Sequence, residues 1–246
     1  MNKLVLATTV ATALWGAVFG GTTAIQSQNI VGYQTKSLQK GYTMTGATFV
    51  PVTGDEISIN DIKPVGDTID QGVVSIQTLD AYGSKVAAYT YMGEDMFDDD
   101  CPAGWYDDDG IVSVTFPAGT GLWVSGPNAD TSITFSGAVP KSDVKIMLCR
   151  GYTATVNMMP TAVAIQDIVA EGPTVNAGVV SIQTLDAYGS KVAAYTYMGD
   201  DVFDDDCPAG WYDDDGRVTG SLSAGEGLWV SGSDTETSIT IPAPEL

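Results

Sequence analysis

The side chains best equipped for chemistry are carboxylates, crowded into one short stretch that occurs twice. Residues 97–110 read Phe-Asp-Asp-Asp-Cys-Pro-Ala-Gly-Trp-Tyr-Asp-Asp-Asp-Gly, and residues 203–216 repeat them. Each stretch holds six carboxylates within 12 residues. Two unit charges about 6 Å apart repel by about 0.7 kcal/mol in water, and by more beside a low-dielectric surface. A hard divalent cation relieves such crowding, and Ca²⁺ accepts about six to eight oxygens in loose geometry. Pro102-Ala103-Gly104 can turn the chain so that the two triplets face each other. Successive side chains on an extended chain point oppositely, so Asp98 with Asp100, and Asp107 with Asp109, would share a side. Those four, with Asp204, Asp206, Asp213 and Asp215 in the second copy, are the candidate Ca²⁺ ligands. The spacing is not that of an EF-hand. A solvated acidic loop that keeps the chain soluble is the competing reading.

Cys101 and Cys207 hold equivalent positions in the two stretches. A bond between them would close a loop of 106 residues (207 − 101) and add about 4–5 kcal/mol by the chain-entropy estimate. Pairing with another molecule is the alternative. Cys149, in an apolar segment, reads as a buried thiol. Trp105 and Tyr106, with copies Trp211 and Tyr212, stand beside the charges and form a candidate glycan-stacking platform. Trp123 and Trp229 lie in apolar segments and read as core.

Histidine is absent. That removes the commonest general base and any Ser-His or Cys-His nucleophile pair. Paired carboxylates raise glycoside hydrolysis, which needs one acid in an apolar pocket and one ionised partner. Here the acids are consecutive and the two copies equal, which points away from an enzyme.

The chain carries 31 acidic and 10 basic residues, a formal charge of −21. Such a charge repels nucleic acid and anionic membranes. The 44% hydrophobic content supports a folded core. Residues 1–24 open with Lys3, run apolar and end in small residues, the pattern of a signal peptide. Its removal would take Lys3 away and move the charge to −22. No later segment is long and apolar enough to form a transmembrane helix, so a secreted, extracellular or cell-surface protein is expected.

A duplication organises the rest. Residues 72–110 and 178–216 are identical at 37 of 39 positions, differing only at Glu94/Asp200 and Met96/Val202. Looser matches extend both ways, through Gly41-Tyr42-Thr43 and Gly151-Tyr152-Thr153, and through 117–126 and 223–232. Residues 85–92, 111–116 and 131–135 alternate with the period of strands. Ala81–Ser84 and Asp109-Gly110 read as turns. The only helical candidates are 57–63 and 163–169. The expected fold is all-β: two tandem homologous β-sandwich-like domains with short helical turns, over 25–140 and 141–246.

The early Val31-Gly32-Tyr33 and the GxGLWV segments, Gly119 to Val124 and Gly225 to Val230, carry a resemblance. The chain resembles secreted, uncharacterised duplicated β-domain proteins of the Planctomycetes–Verrucomicrobia group. That resemblance implies secretion and a β fold, and it brings no activity with it. The Asp triplets depart from the pattern.

Together these features point to a secreted, acidic structural protein of the cell surface or matrix. It would form a homo-oligomer, fibre or lattice with Ca²⁺ in its Asp loops. A glycan-binding module is the alternative. The segment 24–33 could donate a strand to a neighbouring molecule.

Overall fold

The computed structural model describes residues 31–51, 55–94, 96, 101–127, 130–200, 208–233 and 235–244. Asp98, Asp100, Asp204, Asp206, Cys207 and the signal segment lie outside the described residues.

The chain is all-β, built of small antiparallel sheets that recur in the same order in its two halves. The first half holds a six-stranded sheet in the order Gly41–Gly46, Gly121–Gly126, Gln71–Leu79, Lys85–Met92, Gly104–Asp107, Gly110–Ile111. The second repeats it as Gly151–Val156, Gly227–Gly232, Ser181–Leu185, Lys191–Met198, Gly210–Asp213, Gly216–Arg217. A three-stranded sheet accompanies each: Ser132–Ala138 between Val31–Ser37 and Lys63–Val65, and Ser238–Ile241 between Val144–Met147 and Val169–Glu171. Each half therefore has its own apolar core, one grouped around Val74, Ile76, Val124 and Ile133, the other around Val180, Ile182, Val230 and Ile239.

Alternation along the strands explains both faces of each large sheet. In Gln71–Leu79, Val74 and Ile76 point into the core, which leaves Ser75, Gln77 and Leu79 on the opposite face. In Gly121–Gly126, Leu122 and Val124 are buried in the core, so Trp123 faces away from it. Trp123 pairs in register with Gln77 and Met44. The cassette hairpin is built as expected: strand Lys85–Met92 has the bounds its alternation suggested, and Gly83 at φ +82° closes the turn. The helical candidates shrink to single 3₁₀ turns, Ile59–Asp61 and Ile165–Asp167. Residues 111–116 do not form one strand. Gly110–Ile111 ends the large sheet, whereas Thr115–Pro117 pairs with Glu56–Ser58 and buries Phe116 opposite Ile57.

The two halves grip each other reciprocally. The Tyr42 amide donates to the Ala187 carbonyl (3.1 Å) and the Tyr152 amide to the Ala81 carbonyl (3.0 Å). Buried hydroxyls repeat the exchange: Thr45 donates to the Gly225 carbonyl (3.1 Å) and Thr155 to the Gly119 carbonyl (2.8 Å). Gly41 and Gly151 sit at φ +101° and +102°, a region that costs other residues strain. A Cβ on Gly151 would also stand 2.7 Å from the Ala81 oxygen. Each of these contacts has its counterpart related by an approximate twofold axis.

This contact gives a stability test. Gly151→Ala meets both backbone strain and the Ala81 carbonyl, and should cost about 2–3 kcal/mol. Gly110→Ala, at φ +124° with no atom within 4 Å of the new Cβ, should cost about 1 kcal/mol. The shift in urea midpoint at constant slope measures both.

Candidate aromatic cleft between the halves

Of the described carboxylates in the two loops, those of Asp107 and Asp213 help to form the turns. Asp107 ends the strand Gly104–Asp107, and its Oδ1 accepts the Asp109 amide at 2.9 Å. Asp213 does the same for Asp215 at 2.9 Å. Asp107 pairs with Gly110, so Asp108 and Asp109 form a two-residue hairpin loop, where Gly110 supplies the positive φ. Among the described residues no three Asp, Glu, Cys or His side chains gather as a metal site.

The expected glycan platform is overturned. Trp105 and Trp211 are each only 1% exposed. Their indole N–H groups donate to the Ile62 carbonyl (3.2 Å) and the Ile168 carbonyl (2.7 Å), and Tyr91 and Tyr197 pack edge-on against them. In Gly-Trp-Tyr-Asp the Trp alternates inward while its charged neighbours do not, so the adjacent acids gave the wrong cue. Tyr106 and Tyr212 are tied down too, their hydroxyls donating to the Pro102 and Pro208 carbonyls at 2.6 Å.

Cys101 and Cys149 carry free thiols; the Cys101–Cys207 pairing involves a residue outside the described ones. The Cys101 sulfur lies 3.1 Å from the Tyr106 hydroxyl oxygen. Cys149 is half-buried just beyond the strand Val144–Met147, and its thiol donates to the Tyr152 carbonyl at 3.1 Å.

The site that the fold does build lies where the halves meet. A cleft of about 510 Å³ is lined by the same residues from each: Tyr42 and Tyr152, Trp123 and Trp229, Tyr82 and Tyr188, Gln77 and Gln183, Lys85 and Lys191. Leu79, Leu185, Gly83 and Gly189 complete the lining. Tyr42 stacks on Trp123 with centroids 5.4 Å apart and planes at 18°, and Tyr152 on Trp229 at 5.2 Å and 19°. Gln77 Nε2 donates to the Tyr42 hydroxyl at 3.1 Å, and Gln183 Nε2 to that of Tyr152 at 3.4 Å. Each tyrosine is thereby fixed while its own hydroxyl proton stays free to donate.

The turns cross over. A Cβ on Gly83 would touch the six-membered ring of Trp229 at 3.6 Å, and one on Gly189 that of Trp123 at 3.6 Å. Each hairpin tip therefore lies against the tryptophan of the other half. Asp80 holds the first tip rigid, its Oδ1 accepting the amides of Tyr82 and Ser84 at 2.8 Å; Asp186 does the same for Tyr188 and Ser190. The tip tyrosines are left in solvent, Tyr82 84% and Tyr188 86% exposed, at the rim of the cleft. Two large aromatic rings held exposed by rigid turns contribute little to the core and are available for contact.

The alternation around Trp123 was the available signal for this site: Leu122 and Val124 claim the core face, so the Trp between them must face elsewhere. In a separate pocket shared with Glu226 of the other half, Lys36 is held below the ordinary lysine range by burial, partly opposed by the charge of Glu226. Comparison with protein-family models, curated proteins and solved structures returns no match.

One titration checks the cassette geometry. Tyr106 is pushed up to about 12, first by its hydrogen bond with the Cys101 thiol, then by desolvation and the charge of that thiol when ionised. The neutral phenol is the form favoured by folding. Its stabilising contribution is present below the ordinary tyrosine pKa of about 10 and is lost as pH rises toward about 12. Cys101→Ala should return the Tyr106 absorbance transition toward ordinary tyrosine, read at the phenolate band with Tyr106→Phe as the blank.

Proposed function

We propose that this chain is a secreted, non-catalytic saccharide-binding protein whose ligand seat is the cleft between its halves. One observation carries the reading: paired Tyr/Trp stacks, rigidly held exposed tyrosines and side-chain amides line one groove of ligand size. Sugars present an apolar ring face and a rim of hydroxyls. They stack on aromatic rings and hydrogen-bond to amides and phenols at the edge. Equal contributions from both halves suit a chain of similar units, in which neighbouring sugars meet the same chemistry in turn.

Intrinsic fluorescence tests it, because Trp123 and Trp229 lie in the groove. Adding neutral hexaoses such as cellohexaose or xylohexaose should shift the emission and saturate. Tyr82→Ala with Tyr188→Ala should leave stability within about 0.5 kcal/mol, because both rings are exposed. It should weaken binding by about tenfold or more, as expected for two lost aromatic contacts. Absence of any change with every oligosaccharide at millimolar concentration would contradict the reading.

A second reading, assembly with copies of itself, is favoured by the outer edges of the cassette hairpins. Lys85–Met92 pairs with Gly104–Asp107 only through Thr90 to Met92, and Lys191–Met198 is paired likewise only through Thr196 to Met198. Among the described residues the remainder of each edge has no outer strand, and Val86 and Val192 are 68% and 67% exposed beside it. Two open edges per molecule permit chain growth, and Ca²⁺ held by the Asp loops would relieve the repulsion between acidic copies. Light scattering should then rise with Ca²⁺ and fall with EGTA; a monomer under both conditions excludes this reading.

A further inference from the structure

The charged side chains that line the cleft are both basic, although Lys191 also borders a neighbouring groove with Asp213, Asp214 and Asp215. The chain carries 31 acidic residues against 10 basic ones, yet the charged side chains that line the groove are Lys85 and Lys191, with no carboxylate among the lining residues. The nearest acids along the chain, Asp80 and Asp186, are occupied within their turns, each with one oxygen accepting two backbone amides. Both lysines are exposed. One comes from each half, so the pair exists only where the halves meet. A site for neutral sugar needs donors and stacking surface, which the tyrosines, tryptophans and glutamines already supply. Two ammonium groups placed there add recognition of negative charge, because a charge-assisted hydrogen bond to a carboxylate is roughly twice as strong as a neutral one.

We infer that the cleft selects an acidic saccharide, one carrying carboxylates on its sugar rings, held by stacking on the Tyr/Trp pairs with its carboxylates on Lys85 and Lys191. This rests on the reading of the cleft as a saccharide seat and names the class of sugar. The long-range repulsion of a −21 chain slows any polyanion's approach, so selectivity comes from the contact inside the groove. Both halves line a single groove of about 510 Å³, so one ligand spanning both halves is expected per chain.

Tetragalacturonate and its fully methyl-esterified form test this, because they share ring faces and hydroxyls and differ in charge. Titration calorimetry on the full chain, in EDTA to exclude calcium bridging, should give one site per chain. The acid should bind at least tenfold tighter than the ester. Lys85→Gln and Lys191→Gln should each reduce that preference, and together abolish it, by lowering the affinity for the acid far more than that for the ester. These exposed substitutions leave the core and the cross-half contacts untouched. Equal binding of acid and ester would overturn the inference while leaving the saccharide reading intact. A preference for acid that survives both substitutions would also overturn it. Failure of both forms, together with no response to neutral hexaoses, would overturn the two readings together.

Discussion

The structure depends on one reciprocal contact: the hairpin tip of each half laid across the edge strand and tryptophan of the other. Its hydrogen bonds are few, the Tyr42 and Tyr152 amides on the Ala187 and Ala81 carbonyls and the Thr45 and Thr155 hydroxyls on Gly225 and Gly119. Their weight comes from what they bury. Two backbone carbonyls and two amides would otherwise stand at the ends of sheets that already have complete cores, and an unpaired buried group costs about 1–3 kcal/mol. The glycines Gly121 and Gly227 permit the approach. A Cβ on Gly121 would fall 2.5 Å from the Thr155 nitrogen, and one on Gly227 2.4 Å from the Met44 carbonyl carbon. No other residue allows the two backbones to lie so close without displacement.

The duplicated stretch supplies this contact. Each tip touches the edge strand and tryptophan of the other half, so a change in one tip must be matched on that half. Residues 77–85 and 183–191 supply the tips, the cleft glutamines and the lysines, and they lie within the stretch that is identical at 37 of 39 positions. The exposed turns Asp107–Asp109 and Asp213–Asp215 make no described contact across the axis. Their sameness has no account in the lock.

How much was legible in the sequence follows from the range of the forces involved. Strand Lys85–Met92, the Gly83 turn and the turn at Asp109-Gly110 were readable because alternation and turn chemistry are local. The broken strand at 111–116 was not, since Phe116 leaves the large sheet to bury against Ile57, a partner 59 residues away (116 − 57). The tryptophans were read partly the wrong way round. Charged neighbours suggested that Trp105 was exposed, and strand alternation put it inside; apolar neighbours suggested that Trp123 and Trp229 were core, and Trp229 is buried at 8% exposure while Trp123 is half-buried on the far face of its sheet. The cleft itself was beyond sequence reasoning, because it arises from how two complete half-cores meet.

The most direct test of the account is amide hydrogen exchange at Tyr42 and Tyr152, the two donors of the lock. In the intact chain both should exchange slowly and at similar rates. Gly151→Ala, which disturbs one side alone, should accelerate both together, because the two tips open as one unit. Fast exchange at both amides in the unaltered chain, or acceleration confined to Tyr152, would contradict a lock shared between the halves and with it the cleft built upon it.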